Sequence, residues 1–252
     1  MAKNVLITGA AKRIGREIAL DLAGCGWAVA VHYRHSQTEA EEVVRLITGR
    51  GGQAAAIRAD LANEPEVEAL VQAAIAAIGP LSALINNASV FNFDDINSVS
   101  RASWDEHLNT NVRAPLVLTK AFAAQLPPCV DGCVINILDQ RVWNLTPYFL
   151  SYTTSKSALW TLTRTMAMAL APRIRVNAIG PGPTLKNERQ TEEHFQAQWQ
   201  RVPLRRGTTP AEICDCVRFL LRAKALTGQM IALDGGEHLG WAQPTNGFIP
   251  ME

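Results

Sequence analysis

The sequence carries almost no net charge and has no long apolar run. Of its 252 residues, 24 are Lys or Arg and 23 are Asp or Glu, which gives a formal net charge of +1. Because acids and bases are interspersed, no broad field would attract nucleic acid or an anionic membrane. Charge, glycine or proline interrupts the apolar stretches every few residues, and the N-terminal segment lacks the apolar core of an export signal. We therefore expect a cytoplasmic protein with no nucleic-acid or membrane partner.

Cysteine is also scarce. The five cysteines are odd in number and form no Cys-x-x-Cys pair, which predicts reduced thiols rather than a disulfide framework. His107, His194 and His238 are scattered without a ligand cluster around them, so we expect no metal site. Stability must then come from apolar packing. Hydrophobic residues make up 48% of the chain, which is enough for the core of one large domain.

Short apolar runs alternate with longer helical patterns along the chain. The runs predict strands at Val5–Ile7, Trp27–His32, Gln53–Arg58, Ala83–Ile85, Cys133–Leu138, Arg175–Ile179 and Met230–Leu233. Apolar residues at three- and four-residue spacing predict helices at Ile14–Ala23, Glu39–Thr48, Pro65–Ile78, Asn111–Gln125, Ser155–Leu170 and Pro210–Leu221. Near-continuous apolar strands joined by helices indicate a parallel sheet covered on both faces. We predict an α/β, doubly wound Rossmann fold, with residues 1–252 in a single domain.

Two segments follow neither pattern, residues 89–105 and 181–203. Both begin at the end of a predicted strand, where ligands bind in an open α/β sheet. We therefore expect them to form the walls of a substrate pocket. The tail at 241–252 is apolar enough to pack against another surface.

The first predicted strand runs directly into a glycine-rich turn, Gly9 to Gly15, that opens a helix. Glycines let the backbone bend sharply and approach a pyrophosphate, whose charge is held by the free N–H groups and dipole of the helix that follows. The turn is therefore a candidate dinucleotide site. Two glycines at this spacing also suit a tight turn followed by a close helix contact, which is the structural alternative.

Tyr152 and Lys156 form a second candidate site. On a helix this spacing places the phenol and the ammonium on one face, one turn apart. The pair follows the predicted strand 133–138, so it lies at the same sheet edge as the glycine turn. A nearby Lys⁺ favours the phenolate and lowers the tyrosine pKa, which would make Tyr152 a proton donor near neutral pH. The alternative is a structural tyrosine beside a solvated lysine.

Together these motifs resemble the short-chain dehydrogenase/reductase family over nearly the whole chain. The matching segments are Thr8-Gly9-(x)5-Gly15, Asn86-Asn87-Ala88, Asn111, Tyr152-x-x-x-Lys156 and Pro181-Gly182. The resemblance implies NAD(P)-dependent hydride transfer and a homotetramer. It also implies that Tyr152 donates a proton, Lys156 holds the nicotinamide ribose and Asn111 supports a water relay. The further cofactor contacts that we expect are Gly9, Ile14, Gly15, Asp60 and Leu61 (at the adenine), Asn87, Ala88, Pro181, Gly182 and Thr184.

One position departs from the family pattern. The family usually has a serine about thirteen residues before the tyrosine, and this chain has Asp139 there. A carboxylate would repel the alkoxide that develops when a ketone is reduced. An acid instead helps the reduction of a C=N bond, because the nitrogen gains a proton as the carbon gains hydride. Asp139 therefore argues against simple ketone reduction.

Asp139, the glycine turn and the segments His32–Ser36 and Asn86–Phe91 are similar to the pteridine reductase and dihydromonapterin reductase branch of this family. In that branch an aromatic residue at the Phe91 position stacks on the pterin, opposite the nicotinamide. The resemblance implies a substrate site formed by Ser89, Phe91, Asp139 and Tyr152. The alternative is that Asp139 only pairs with Lys156 or a surface arginine and that Phe91 belongs to the core.

The second predicted strand indicates which cofactor is used. Enzymes of this fold that use NAD commonly carry an acidic residue at the end of this strand, whereas NADP needs cations and hydroxyls for its 2′-phosphate. The strand ends without an acid, in a segment that contains Tyr33, Arg34 and Ser36. Arg13 in the glycine turn can reach the same place, so these residues predict a phosphate clamp and favour NADPH.

Three classes of function follow from these observations. The first is reduction of a C=N bond in dihydromonapterin, dihydrobiopterin or dihydrofolate, which Asp139 and Phe91 favour. The second is a carbonyl reductase of the same fold that acts on an oxoacyl thioester or another ketone. The third, a non-catalytic NADP-binding sensor, is disfavoured because Asn111, Tyr152 and Lys156 are all present.

Overall fold

The computed structural model describes residues 3–186 and 190–240. Seven strands form one sheet in the order β3-β2-β1-β4-β5-β6-β7, and every neighbouring pair is parallel. The strands are β1 (Asn4–Ile7), β2 (Ala28–Tyr33), β3 (Ala54–Arg58), β4 (Ala83–Asn86), β5 (Gly132–Ile137), β6 (Ile174–Pro181) and β7 (Met230–Leu233). The predicted strands are therefore confirmed, with boundaries that differ by at most two residues.

Helices cover both faces of the sheet. They are α1 (Arg13–Gly24), α2 (Gln37–Thr48), α3 (Glu64–Ile78), α4 (Arg101–Leu108), α5 (Ala114–Gln125), α6 (Leu150–Leu170), α7 (Glu192–Arg201) and α8 (Pro210–Arg222). Because side chains alternate along a strand, Val5 and Ile7 pack in the layer of α1, α2 and α8, whereas Leu6 packs in the layer of α3, α5 and α6. The predicted Rossmann-type single domain is confirmed.

The order of the strands changes direction at β1. The chain runs from β1 outward to β2 and β3, and then returns to place β4 on the other side of β1. In an open α/β sheet this arrangement leaves a crevice beyond the carboxyl ends of the central strands, where ligands bind. Within the described residues, no helix is both long and apolar enough to cross a membrane.

Two helices lie where the sequence patterns predicted irregular chain. α4 occupies part of the segment 89–105, and α7 occupies part of the segment 181–203. Each begins at a hydroxyl cap, since Ser100 accepts a hydrogen bond from the backbone of Ser103 and Thr191 accepts one from that of His194. Each buries only one side chain, so neither helix produced an apolar periodicity that could be detected.

Two helix starts also differ from the prediction. α6 begins at Leu150 rather than Ser155, so Tyr152 lies within its first turn. Asn111, predicted as the first residue of a helix, instead lies in a π-helical turn at Asn109–Arg113 that continues into α5. Such turns often occur at functional sites. The predicted packing of the tail at 241–252 falls outside the described residues.

His32, near the end of β2, joins three segments from a buried position. Its Nδ1 accepts a hydrogen bond from Gly9 N at 2.9 Å, and its Nε2 lies 3.1 Å from the carbonyl oxygen of Ala59. The ring must therefore be neutral, with the proton on Nε2. Burial lowers the His32 pKa from 6.5 to about 4, against smaller opposing effects of Ala59 and Asp60. His32 thus connects β2 to the glycine turn and to the end of β3.

We predict that this histidine makes the protein less stable in mild acid. Between pH 6.5 and 4 the unfolded chain binds the His32 proton and the folded chain does not, so stability falls as the pH decreases. The His32 contribution to the free energy of unfolding should decrease by about 2 kcal/mol between pH 7 and pH 5. Urea unfolding of the native protein and of His32→Gln at both pH values measures this change in the free energy of unfolding. Equal losses in the two proteins would contradict this role.

Candidate active site

A cavity of about 750 Å³ opens beyond the carboxyl ends of β1, β4, β5 and β6. It brings together most of the residues that the sequence predicted for the cofactor and the substrate. The predicted residues that line it are Gly9, Arg13, Ile14, Gly15, Asn87, Ala88, Ser89, Phe91, Asp139, Tyr152, Lys156, Pro181, Gly182 and Thr184. Both predicted wall segments contribute to it, through residues such as Phe93 and Phe195.

The glycine turn forms one end of this cavity in a conformation that side chains would prevent. Gly9 has φ +62°, in the left-handed region that favours glycine. A Cβ atom at Gly15 would lie under 3.0 Å from both the Gly9 carbonyl oxygen and Asn87 Nδ2. Asn87 Nδ2 also donates to the Thr8 carbonyl oxygen at 2.8 Å. The turn is therefore held against the end of β4, and it leaves the start of α1 open to a phosphate group.

The predicted catalytic residues meet on the far side of the cavity. Tyr152 donates its hydroxyl proton to Asp139 Oδ2 at 2.8 Å, and Lys156 Nζ donates to the Ile137 carbonyl oxygen at 2.8 Å. Tyr152 and Lys156 are both buried, at 6% and 2% exposure. The Lys156 ammonium also lies 5.7 Å from the centre of the Tyr152 ring. The predicted proton donor, Tyr152, thus forms a hydrogen-bonded pair with Asp139.

Burial changes the acidity of all three groups. It raises the Asp139 pKa, although hydrogen bonds from Arg141 N and Tyr152 oppose the rise. It lowers the Lys156 pKa to about 8, against the attraction of Asp139. The expectation that Lys156 lowers the Tyr152 pKa is wrong for this structure. Burial and the adjacent Asp139 raise the Tyr152 pKa well above its ordinary value, because a phenolate beside a carboxylate is unfavourable.

Asn111 connects the substrate wall to the catalytic helix. Its Nδ2 donates to Ser155 Oγ at 2.9 Å and to the Val90 carbonyl oxygen at 3.0 Å, and its Oδ1 accepts from Val90 N at 2.8 Å. Ser89 Oγ also lies 3.2 Å from Asn111 Oδ1. The π-helical turn therefore brings the Asn111 side chain between the loop after β4 and α6.

Aromatic rings form one wall of the cavity, the aromatic wall. Phe91 is stacked on Phe149, with ring centres 4.5 Å apart and planes 10° apart, and it meets Tyr152 edge-on at 4.6 Å. Arg141 lies over the Phe149 ring at 5.0 Å. Phe91 and Phe149 both line the cavity, although only Phe91 belongs to the predicted substrate site. No apolar periodicity marks Phe149, which precedes α6 with a left-handed backbone of φ +58°.

Asp94 caps the catalytic helix from a distant loop. α6 has no side-chain cap of its own at Phe149, but Asp94 Oδ1 accepts a hydrogen bond from Ser151 N at 3.0 Å. The Asp94 carbonyl oxygen accepts a second bond, from Phe149 N at 2.7 Å. Asp94 Oδ2 accepts a third, from Ser103 Oγ. This buried residue therefore fixes the first turn of α6, where Tyr152 lies, relative to the aromatic wall.

The residues of the predicted phosphate clamp do not converge in this structure. Arg13 donates to the carbonyl oxygens of Leu185 and Lys186, and Arg34 pairs with Asp60 at 3.0 Å and with Glu106 at 3.6 Å. The other predicted residues nearby are Tyr33, which is half-buried against the core, Ser36, which is half-buried at the start of α2, and Leu61, which is buried.

Lys12 is a cation that the sequence prediction missed at this end. It lines the cavity and pairs with Glu39 at 2.7 Å. The sequence feature that could have identified Lys12 is its position next to Arg13 in the glycine turn. Within the described ranges, no group of three or more His, Cys, Asp or Glu side chains has the arrangement of a metal site.

Comparison with known proteins gives matches that cover nearly the whole chain. A family model described as enoyl-(acyl carrier protein) reductase matches residues 9–238. FolM alternative dihydrofolate reductase 1 from Brucella canis, solved with NADP, is similar with a TM-score of 0.93 and 47% identity over 96% of each chain. Its Brucella suis counterpart, also solved with NADP, gives 0.92 and 48% identity over 96% of this chain and 97% of its own.

A curated sequence relative carries a different name from the FolM structures. The 3-oxoacyl-[acyl-carrier-protein] reductase FabG from Staphylococcus aureus is 32% identical over 244 residues. The match covers 95% of this chain and 99% of that protein.

We predict that Gly15→Ala abolishes tight cofactor binding. The added Cβ would collide with the Gly9 carbonyl and Asn87, which forces the turn away from the pyrophosphate site. NADPH affinity, measured by fluorescence titration, should fall by about tenfold or more, since loss of one charge-assisted hydrogen bond already costs about 1.5–3 kcal/mol. Gly24→Ala is the matched control, because nothing lies within 4 Å of its added Cβ. Unchanged affinity in Gly15→Ala would show that the turn does not approach the cofactor.

Proposed function

The chain belongs to the short-chain dehydrogenase/reductase family and is an NADPH-dependent oxidoreductase, and on that premise we propose that it reduces a C=N bond of a dihydropterin. The candidate substrates are dihydromonapterin, dihydrobiopterin and dihydrofolate. One observation carries the proposal, the hydrogen bond between Tyr152 and a half-buried Asp139 at the position where serine is usual.

The residues of the cavity fit a bound NADPH. The glycine turn and the start of α1 line the cavity where a pyrophosphate would bind, and Lys156 would hold the nicotinamide ribose. Asp60 and Leu61 would contact the adenine, with Arg13, Arg34 and Ser36 near the 2′-phosphate. Among these, Arg13 and Arg34 must exchange their present partners for it. When bound, the cofactor supplies the hydride.

Asp139 and Tyr152 suit protonation of a ring nitrogen better than stabilisation of an alkoxide. Reduction of a ketone places negative charge on oxygen, and a carboxylate in a buried site opposes that charge. Reduction of a C=N bond consumes a proton at nitrogen. Because burial raises the Asp139 pKa, the acid form persists to higher pH and can replace the proton that Tyr152 gives to the substrate.

The aromatic wall supports a flat substrate. Phe91 and Phe149 line the same cavity as Tyr152, and aromatic rings bind planar heterocycles by offset stacking worth about 0.5–1.5 kcal/mol per pair. Ser89 and Asn111 border the wall at the start of the loop. The FolM proteins that share 47% and 48% identity with this chain are named dihydrofolate reductases, which supports the same substrate class.

A second candidate is reduction of an oxoacyl thioester, because the FabG relative carries that name. Asp139 argues against this reaction, because its carboxylate would repel the alkoxide that forms.

We also propose that the protein is cytoplasmic and forms a homotetramer. Subunit contacts would cover Met168 on α6 and Phe219 on α8, two large apolar side chains that are exposed on the single chain.

We predict which substrates the native protein turns over. Dihydromonapterin, dihydrobiopterin or dihydrofolate should drive NADPH oxidation, followed at the absorbance band of NADPH, and an acetoacetyl thioester should be a poor substrate. The physical reason is the cost of an alkoxide beside Asp139. Brisk reduction of the thioester with no turnover of any dihydropterin would overturn the proposal in favour of the carbonyl reductase.

We predict that Asp139 determines how kcat depends on pH. In the native enzyme kcat with a dihydropterin should fall as the pH rises through the raised Asp139 pKa, because the acid form is lost. Asp139→Asn should lower kcat about tenfold or more and remove that limb, while NADPH affinity is kept. Tyr152→Phe should lower kcat by about a hundredfold or more. A native-like pH profile in Asp139→Asn would assign the proton to another group.

A further inference from the structure

A second carboxyl group, Glu237, lies in the wall of the same cavity. It belongs to a short 3₁₀ turn, Glu237–Leu239, that follows β7 through Gly235 and Gly236. The backbone of this turn is fixed at both of its polar groups. Glu237 N donates to the Asp234 carbonyl oxygen at 3.2 Å, and the Glu237 carbonyl oxygen accepts from Asn144 Nδ2 at 3.1 Å. The side chain therefore extends from a firmly held position.

One oxygen of this carboxyl group lacks a donor. Glu237 Oε2 is buried, and no hydrogen-bond partner for it exists among the described residues. A buried acceptor without a partner costs about 1–3 kcal/mol, so a ligand that supplies an N–H group there gains binding energy. Burial, with the charges of Asp139 and Asp234, raises the Glu237 pKa to about 7, while Arg141 and a hydrogen bond from Gln198 act in the opposite direction.

A dihydropterin presents suitable donors. Its amino-pyrimidine edge carries an exocyclic amino group next to a ring N–H, and two parallel N–H groups match the two oxygens of a carboxylate. Asp139 and Glu237 line the same cavity, so both groups can contact one small bicycle. An oxoacyl thioester has no equivalent pair of donors at its reacting end.

We propose that Glu237 is a specificity-determining residue that accepts hydrogen bonds from the amino-pyrimidine edge of the substrate. The proposal rests on the dihydropterin function above. In this arrangement Asp139 and Tyr152 act at the C=N bond, and Glu237 accepts hydrogen bonds from the other ring of the bicycle. The carboxylate thereby distinguishes a 2-amino-4-oxopteridine from a 2,4-dioxopteridine, which replaces the amino group with an acceptor oxygen.

The test compares binding of these two ring systems without turnover. The native enzyme, saturated with NADP⁺, is titrated with pterin and with lumazine, and the quenching of their fluorescence gives each Kd. The native protein should bind pterin about tenfold more tightly or better, as expected for one charge-assisted bond pair. Glu237→Gln should remove that preference, because the N–H group of its amide would face an N–H group of the pterin. Glu193→Gln, an exposed change on α7, is the matched control and should keep the preference.

Turnover provides a second measurement. With a dihydropterin, Glu237→Gln should raise KM about tenfold and change kcat less than twofold, whereas Asp139→Asn changes kcat. Glu237→Asp, which keeps the charge on a shorter stem, should retain part of the preference. It serves as the second variant if Glu237→Gln fails to fold or to bind NADPH.

Two results separate this inference from the proposed function. If the native enzyme reduces dihydropterins but Glu237→Gln or Glu237→Asp keeps the full native preference for pterin, the role of Glu237 is overturned and the proposed function stands. If no dihydropterin is reduced although pterin binds in a manner that depends on Glu237, the reaction is wrong and the recognition role stands. Equal native affinity for pterin and lumazine also overturns the role of Glu237.

Discussion

The candidate site depends on one partly buried hydrogen bond, from the Tyr152 hydroxyl to Asp139. Asp139 raises the Tyr152 pKa, because a phenolate beside a carboxylate is unfavourable, whereas the bond from Tyr152 stabilises the Asp139 carboxylate and opposes the rise that burial causes in the Asp139 pKa. Lys156, although close to the ring, directs its ammonium to a backbone carbonyl at the end of β5. The acidic partner therefore controls the tyrosine more than the basic one does. This reverses the balance expected from a tyrosine and a lysine four residues apart.

Much of the fold could be predicted from the sequence because its strands are apolar on both sides and its sheet is parallel throughout. The two missed helices, α4 and α7, bury almost nothing, so local hydroxyl caps rather than periodicity define them. The start of α6 was missed for another reason. Its cap is Asp94, a residue more than fifty positions away, and no local pattern can reveal a cap supplied by tertiary contact.

The same limit applies to the candidate site. Motifs at fixed spacing predicted which residues meet at the sheet edge, since the carboxyl ends of parallel strands share one side. They could not predict the partners of flexible side chains. Arg13 and Arg34 form bonds to loop carbonyls and to acids that are remote in sequence. Glu237 carried no motif, and its burial arises only from the way the turn after β7 folds over the cavity.

The cap formed by Asp94 has a consequence for attempts to engineer new substrates. The loop after β4 supplies the aromatic wall, which makes it the natural segment to exchange with that of another reductase. Such a graft would also remove the carboxylate that holds the first turn of the catalytic helix. A change intended to alter only selectivity would then disturb proton transfer as well, unless the transplanted loop brings an acid at the position of Asp94.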